Sequence, residues 1–466
     1  MDRLAAVVLA AGEGKRFKSS LPKVLHPIAG RPMIWHVLSA LVDLGVRNMI
    51  VVTGRGREQV EAAARGFDFE GLAFATQEQQ LGTAHALAQV EAAVPEGITD
   101  LLVLPGDTPL LTAETLRGLS QFRRDRGAAA SLLTANLPDP RGYGRIIRNA
   151  DHELMRIVEE ADATADERAV HEINTGIYCF DRAKAFAAIA EVRPDNAQGE
   201  YYLTDVPAVL REWREHVFTV LAPDERETRG VNTRGQLAEA AEIIRSRIVG
   251  RLMDEGVTFV DPSSAYLDVD VEIGADTTVL PNCYLEKGTR IGSGCTIGPN
   301  TRMVGALAED GSSVTYSVVV DAQVGPDASV GPFSYLRPKT RLEKGSKAGS
   351  FVELKNTHVG AGSKVPHLSY MGDTEVGAGA NVGAGSITCN YDGYSKHRTR
   401  IGDAAFIGSD TMLVAPVEIG KGAITGAGST ITRDVPPGAL GIERAEQQNI
   451  EGYAKRRRAR KAKDGE

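Results

Sequence analysis

Residues 273–297 read IGADTTVLPNCYLEKGTRIGSGCTI, with an aliphatic residue at every sixth position: Ile273, Val279, Leu285, Ile291 and Ile297, followed by Met303. A period of six fits neither an amphipathic helix nor a simple alternating strand. It fits a parallel β-helix, in which each hexapeptide forms one flat side of a coil. The aliphatic residue points inward and stacks on its counterparts one coil above and below. The spacing resumes at Val318, Val324, Val330, Leu336, Leu342, Ala348 and Leu354. It slips by one to Val359, Val365 and Met371, and again to Val376 and Val382. A last block runs Ile401, Ile407, Leu413, Ile419, Thr425 and Ile431. Gly often follows the aliphatic position, as at Gly274, Gly292 and Gly402, where a side chain would clash or φ is positive. Two stretches break the register. Gly305 to Ser317 reads as an insertion that loops out of the coil. Ile387 to Arg400 reads as another, and carries Thr388-Cys389-Asn390-Tyr391-Asp392-Gly393.

Upstream of the repeats the pattern changes. Apolar runs at 4–9, 49–53, 101–104, 130–134 and 176–180 read as strands, and 33–44, 56–65 and 83–93 as helices. Strands alternating with helices predict an α/β domain with a mostly parallel, Rossmann-like sheet covered on both faces. Residues 236–255 form one long amphipathic helix, with Leu237, Ala241, Ile244, Ile248 and Leu252 on one face. The expected organisation is a domain over 1–235, a linker helix over 236–256, and the β-helix with a basic tail over 257–466.

Composition narrows the function class. A chain of 466 residues has room for two or three domains, and its net charge of −8 gives no reason to expect nucleic acid. The four cysteines form no CxxC pair and read as reduced thiols of a cytoplasmic chain. The apolar start runs into a Gly-rich basic loop, poor chemistry for a cleaved leader. No stretch is long enough to span a bilayer.

In the first half, Gly12-Glu13-Gly14-Lys15-Arg16 follows the first strand and leads into a helical stretch. It is not a P-loop, because Leu9 and Arg16 stand where Gly and Ser/Thr are needed. It is not a dinucleotide fingerprint, because Phe17 replaces the third Gly. Small residues still let backbone N–H groups approach a phosphate, and a following helix N-terminus favours negative charge. Arg16 and Lys23 supply cations. A plain strand-to-helix turn is the alternative. Asp107 follows the strand at 101–104 and is either a Mg²⁺ ligand or a turn residue. In the second half, the polar and aromatic loop at 388–393 on a regular prism suggests a site. His367 is near it in sequence, and Arg337, Lys355 and Tyr370 occupy neighbouring coils. These fit a polyanion or sugar-phosphate pocket, although a lone His on a repeat protein can be structural.

Leu9-Ala10-Ala11-Gly12 with Arg16 and Pro22-Lys23 resembles the signature of sugar-nucleotide pyrophosphorylases. Gln77, Leu81-Gly82-Thr83, Gly142-Tyr143-Gly144-Arg145, Glu159, Glu172 to Gly176 and Gly230-Val231-Asn232 continue it in order. Together with the repeats, nearly the whole chain is similar to the bacterial family of bifunctional N-acetylglucosamine-1-phosphate uridylyltransferases/glucosamine-1-phosphate acetyltransferases. The resemblance implies that Asp107 and Asn232 hold Mg²⁺ and that Arg16 and Lys23 act on the UTP phosphates. Leu9, Ala10, Ala11, Gly12, Gln77, Gly82 and Thr83 would then bind the nucleotide, and Gly144, Glu159 and Asn174 the amino sugar. Pro105 stands where some relatives carry Tyr.

In the second half the family matches at Arg337-Pro338, Phe351 to Lys355, His367 to Tyr370 and the loop. The resemblance implies that His367 is the general base of acetyl transfer, suited to the task by its pKa. Arg337, Lys355, Tyr370 and Asn381 would bind glucosamine-1-phosphate. Ala384, Tyr391, Ser409, Ala427 and Arg444 would line the acetyl-CoA site, with Asn390 between it and the sugar. A left-handed coil and a homotrimer with sites between subunits are also implied. The rival readings are a nucleotidyltransferase whose β-helix only assembles or regulates it, and a non-enzymatic repeat scaffold. The segment at His367 and the loop at 388–393 weigh against the first. Asp107 with Asn232, and Arg16 with Lys23, weigh against the second.

Overall fold

The computed structural model describes residues 2–12 and 14–463. Contacts divide the chain into two compact units, Met1–Ile248 and Val249–Glu466.

In the first unit the strand Leu4–Leu9 lies inside a twisted sheet, paired in parallel with Asn48–Thr53 on one side and Asp100–Pro105 on the other. Ala5 and Val7 enter one hydrophobic core, Leu4, Ala6 and Val8 the other. Burial on both faces is why this strand reads as an unbroken apolar run. The sheet continues to Leu72–Thr76 at one edge and, through Glu172–Asp181 and Ala130–Asn136, to Val217–Leu221 at the other. Glu172–Asp181 runs antiparallel to both of its neighbours. A hairpin of Gly144–Arg148 and Leu154–Val158 pairs with it. The parallel strands Leu4–Leu9, Asn48–Thr53 and Asp100–Pro105 end together, so the loops after them share one rim.

The expected helices form at Met33–Leu44 and Arg57–Arg65. The third is shorter than the 83–93 expected: Thr83–Ala88 is followed by a separate 3-10 turn at Glu91–Ala93. The helical stretch expected after Gly12 does not form. Only 3-10 turns at Lys15–Phe17 and Lys23–Leu25 follow. Lys18 has φ +49° and Pro22 lacks an amide hydrogen, so an α-helical ladder cannot run through them. An anion at this loop would therefore meet loop amides and cations, without a helix dipole. The long helix spans Arg234–Asp254. Ala240, Ile244, Ile248 and Leu252 are buried at every fourth position, while Leu237 and Ala241 are half-buried.

The second unit is a three-sided parallel β-helix, built from ladders of eleven, ten and nine short strands. In the first coils, partners stand eighteen residues apart, as Ile273 with Ile291 and Val279 with Ile297. The inward aliphatic residues are almost wholly buried. At Gly274, Gly360 and Gly402 the backbone is ordinary; a Cβ there would lie 2.6–2.7 Å from the backbone of the next coil. The glycines of the repeat thus permit close stacking of coils. Buried hydroxyls close the corners: Thr289 donates to the Glu286 carbonyl at 2.7 Å, and Thr411 to that of Gly408 at 2.6 Å.

Gly305 to Ser317 is not an insertion. Leu307–Ala308 and Ser313–Val314 pair within the ladders, and Ala308 and Val314 are fully buried. The coil is shortened here, so the partners Ile297 and Val314 are only seventeen residues apart. Met303 pairs with Val319, while Val318 faces outward. A small inward residue, Ala308, together with sides that drop a corner residue, hides the repeat from a search for aliphatic residues. The second break is a true insertion but narrower than Ile387 to Arg400, because Ile387–Cys389 and Thr399–Ile401 are still ladder strands. Thr374 still pairs with Thr399 and Val376 with Ile401, while the extra residues leave the prism as a loop.

Candidate active sites

The rim of the first unit holds a cleft of about 710 Å³. Leu9, Ala10, Ala11, Gly12, Arg16, Lys23, Gln77, Gly82, Thr83, Asp107, Glu159, Asn174 and Asn232 all line it. Gly144 does not; it packs behind Glu159, whose carboxylate would stand 3.4 Å from a Cβ added there.

Asp107 and Asn232 come from segments far apart in sequence and converge on one cation. The Lys23 ammonium pairs with the Asp107 carboxylate and donates to Asn232 Oδ1 at 3.0 Å. The Val231 amide donates to the Asp107 carbonyl at 2.8 Å and keeps the two segments together. Two oxygen donors meeting at a positive charge fit a hard divalent ion that takes its remaining ligands from water and phosphate. Among the described residues no group of three His, Cys, Asp or Glu side chains could hold a metal ion.

At the other end of the cleft, Gln77 donates to the Gly82 carbonyl at 3.0 Å, and Gln80 to that of Ala11 at 2.7 Å. Gly82 has φ +112°, and a Cβ there would lie 2.4 Å from the Tyr201 carbonyl oxygen, so no other residue fits. The Thr83 hydroxyl accepts from the Leu203 amide at 3.0 Å. Asn174 donates to the Tyr178 hydroxyl at 2.7 Å, while its own carbonyl oxygen is buried without a partner. Burial pushes the nearby Glu159 carboxyl above its ordinary range, against a hydrogen bond from Thr204 at 3.2 Å. The strand carrying Asn174 is irregular between Asn174 and Tyr178. A Cβ on Gly176, within that stretch, would meet the Pro105 ring at 3.1 Å, so the ring packs against backbone.

In the second unit, His367 belongs to a column of residues on successive coils. Gly385 donates to the Leu368 carbonyl at 3.0 Å, Asp410 to that of Ala384 at 2.7 Å, and Gly428 to that of Ser409 at 2.8 Å. Arg444 then donates to the Ala427 carbonyl at 2.9 Å. His367, Ala384, Ser409, Ala427 and Arg444 therefore follow one another along the corner. At a strand spacing of about 4.8 Å the column runs for about 19 Å. The His367 side chain is exposed and, among the described residues, forms no hydrogen bond.

A second group is centred on Asp373, which the sequence reading missed. Its carboxylate accepts from Lys355 at 3.0 Å, Asn390 at 2.6 Å and Asn356 at 2.8 Å. Arg337 pairs with Glu353 at 2.9 Å. Tyr370 pairs in register with Glu353 on the same side of the prism. Asn381 is in a different ladder, beside Lys364 and Phe406, so one chain does not bring it to this group. The inserted loop is clasped by Asp392, which accepts from the Tyr394 and Ser395 amides and pairs with His397 at 2.7 Å. Tyr391 is exposed on it, its hydroxyl donating to the Gly393 carbonyl at 2.6 Å. The loop also carries Lys396, another residue missed. Its pKa is lowered, first by contact with Lys355 and further by Arg337, so three cations gather here. A cluster of like charges could have been read from sequence only by knowing which coil the loop overhangs.

Residues 6–163 match the model of the MobA-like NTP transferase domain. Residues 270–305 and 398–433 match that of the bacterial transferase hexapeptide (six repeats). The chain is 50% identical to the bifunctional protein GlmU of Heliobacterium modesticaldum over 98% of its length and 99% of that protein's. It is 48% identical to that of Brevibacillus brevis, covering 97% and 98% of the two chains. It is also 48% identical to that of Carboxydothermus hydrogenoformans, covering 97% and 100%. A solved UDP-glucose pyrophosphorylase complexed with UDP-glucose overlaps 52% of this chain and 98% of its own at 17% identity and a TM-score of 0.43, too distant a likeness to carry an argument.

Proposed function

The chain belongs to the family of bifunctional GlmU proteins, and on that premise we propose how its residues divide the work. It is a bifunctional enzyme of UDP-N-acetylglucosamine synthesis: it acetylates glucosamine-1-phosphate and transfers UMP from UTP to the product. The hexapeptide family match and the three stacked parallel ladders fit left-handed winding of the β-helix.

Uridylyl transfer belongs to the cleft of the first unit. Gln77, Gly82 and Thr83 bind the uracil side, with Leu9 to Gly12 along the nucleotide. Glu159 and Asn174 hold the amino sugar, and the unpartnered Asn174 carbonyl is an acceptor for a sugar N–H or O–H. The sugar phosphate oxygen attacks the α-phosphorus and pyrophosphate leaves. The nucleophile is already anionic, so the residues align it and no base is needed. Asp107 and Asn232 would hold Mg²⁺, which when bound supplies neutralisation of phosphate charge. Lys23 and Arg16 add positive charge where the leaving group develops negative charge.

Acetyl transfer belongs to the second unit. An elongated thioester donor along the corner column would place its phosphates by Arg444 and its acyl end by His367. Arg337, Lys355 and Tyr370 hold the sugar phosphate, helped by Lys396. The neutral His367 imidazole takes a proton from the 2-amino group as nitrogen attacks the thioester carbonyl, and the CoA thiolate departs.

Asn381 sits apart from this group in one chain, which favours a site completed by a neighbouring copy. Three-fold assembly also agrees with the outward faces. One ladder presents Tyr266, Tyr284, Val318, Tyr335 and Tyr370, with Arg302 and Glu353 among them; a second presents Lys347 and Lys364, then Phe406, Ile424 and Leu440 at its end; the third presents Glu272, Arg290, Arg341, Glu375 and Arg400. The aromatic stretch of the first side and the apolar end of the second suit contact with other copies, and the third suits water. A cytoplasmic location accords with the four free cysteines. Among the described residues no helix is long and apolar enough to cross a membrane.

The observation that carries this reading is the alignment of His367, Ala384, Ser409, Ala427 and Arg444 along one corner. The test supplies purified protein with glucosamine-1-phosphate, acetyl-CoA, UTP and Mg²⁺ and reads UDP-N-acetylglucosamine by mass. Omitting acetyl-CoA should stop the product, and N-acetylglucosamine-1-phosphate should restore it. Failure to restore it would refute the division of labour.

A further inference from the structure

We propose that Lys23 is the resident counter-ion of the metal site, and that the divalent ion enters only with the nucleotide, as the triphosphate draws the ammonium away. The inference rests on the uridylyl-transfer reading of the cleft.

The argument is one of charge and space. Asp107 and Asn232 aim their oxygens at a single point, and the Lys23 ammonium occupies it. The Lys23 and Asp107 side chains are only 14% and 17% exposed, so water screens the pair poorly. The site is then neutral: one carboxylate, one ammonium and one amide. Among the described residues no third acidic or imidazole side chain completes a metal site. A divalent ion arriving alone must displace the ammonium, yet it finds one carboxylate and a second cation, Arg16, on the same cleft wall. That exchange replaces a neutral pair with a net positive charge in a partly enclosed cleft.

A triphosphate reverses the balance. It brings several negative charges, and Lys23 is a compact charge on a flexible four-carbon stem that can swing from carboxylate to phosphate. Its departure frees Asp107 Oδ2 and Asn232 Oδ1 for the ion, while phosphate oxygens and water supply the remaining ligands. One side chain thereby makes metal affinity conditional on nucleotide. The free enzyme keeps Asp107 paired, and Lys23 arrives on the phosphate as the ion takes its place.

The test is direct binding of Mn²⁺ to the full-length protein, read by the electron paramagnetic resonance of the free ion. It uses wild type, Lys23→Met, Lys23→Arg and Asp107→Asn, with and without a non-hydrolysable UTP analogue. Without nucleotide, wild type and Lys23→Arg should bind weakly, and Lys23→Met about tenfold or more tightly, because the competing charge is gone. Adding the analogue should tighten Mn²⁺ on wild type beyond what the analogue binds by itself, and Asp107→Asn should lose this gain. Lys23→Gln replaces Lys23→Met if the latter is not folded by circular dichroism. Equal nucleotide-free affinity in wild type and the neutral variants would overturn the proposal while leaving the metal site standing. No Asp107-dependent Mn²⁺ binding, even with the analogue, would overturn the metal-site reading itself.

Discussion

Replacing Asp373 by Ala removes the acceptor that holds Lys355, Asn356 and Asn390 in one arrangement. Three bonds of 2.6–3.0 Å are lost. A hydrogen bond to a charged group is worth about 1.5–3 kcal/mol, but water replaces part of that where the partner is accessible. Asn390 is 6% exposed and cannot easily be rehydrated. The expected loss of stability is about 2–4 kcal/mol, toward the lower end of what breaking a buried pair costs. The kinetic effect should fall on binding. With Lys355 and Asn390 no longer fixed, KM for glucosamine-1-phosphate should rise about 10- to 100-fold, equivalent to ~1.4–2.7 kcal/mol. Turnover at saturation should change less, and uridylyl transfer should not change. Asp373→Asn keeps the shape without the charge and should fall between. The assay is thiol release against sugar-phosphate concentration, with uridylyl transfer and thermal melting on the same preparation. Acid sensitivity gives an independent readout. Burial pushes the Asp373 carboxyl up, but donors from Asn356, Lys355 and Asn390 outweigh it and hold the pKa below the ordinary 3.8. A depressed carboxylate contributes stability that is present above that ordinary value and lost as pH falls through the lower, folded one. The variant should therefore lose less stability than wild type on acidification below pH 3.8. A folded Asp373→Ala protein with unchanged KM would refute the reasoning.

His367→Ala should cut acetyl transfer by about 10²- to 10⁴-fold with melting temperature and uridylyl transfer near normal. Loss of both activities together with oligomer size would mean that His367 is structural. Gly402→Ala places a Cβ 2.6 Å from the Lys421 amide nitrogen, and should cost about 1–3 kcal/mol through forced separation of coils, read as a lower melting temperature. A chain truncated after Asp254 should retain uridylyl transfer and lose acetyl transfer; a soluble, folded truncate without uridylyl transfer would contradict the domain assignment.

The repeats were legible because an inward aliphatic residue in each side is a local, periodic demand. They became illegible where that demand relaxed, at Ala308 and at the shortened sides that move Val319 rather than Val318 inward. In the first unit the buried strands announced themselves by continuous apolar runs. The edge strands Leu72–Thr76 and Val217–Leu221 did not, because most of their residues are only partly buried and their side chains are mixed. The nucleotide cleft came from resemblance more than from pattern. Lys23 meets Asn232 across 209 residues, and no local rule couples them. Asp373 and Lys396 were missed for the same reason: their roles depend on which coil lies beneath.

The loop at 390–398 has a consequence for how this protein can be altered. Because Thr374 meets Thr399 and Val376 meets Ile401 without loss of register, the loop is a detachable appendage on an uninterrupted shaft. Its own clasp, Asp392 with His397 and the Tyr394 and Ser395 amides, gives its outer part shape, while Asn390 ties its base to Asp373. A graft of different length or sequence between Asn390 and Thr399 would leave the stacking of the prism and the Asn390–Asp373 bond intact. Acyl-acceptor preference could then be re-engineered by exchanging one short segment that keeps Tyr391, with His367 and the corner column carried over unchanged.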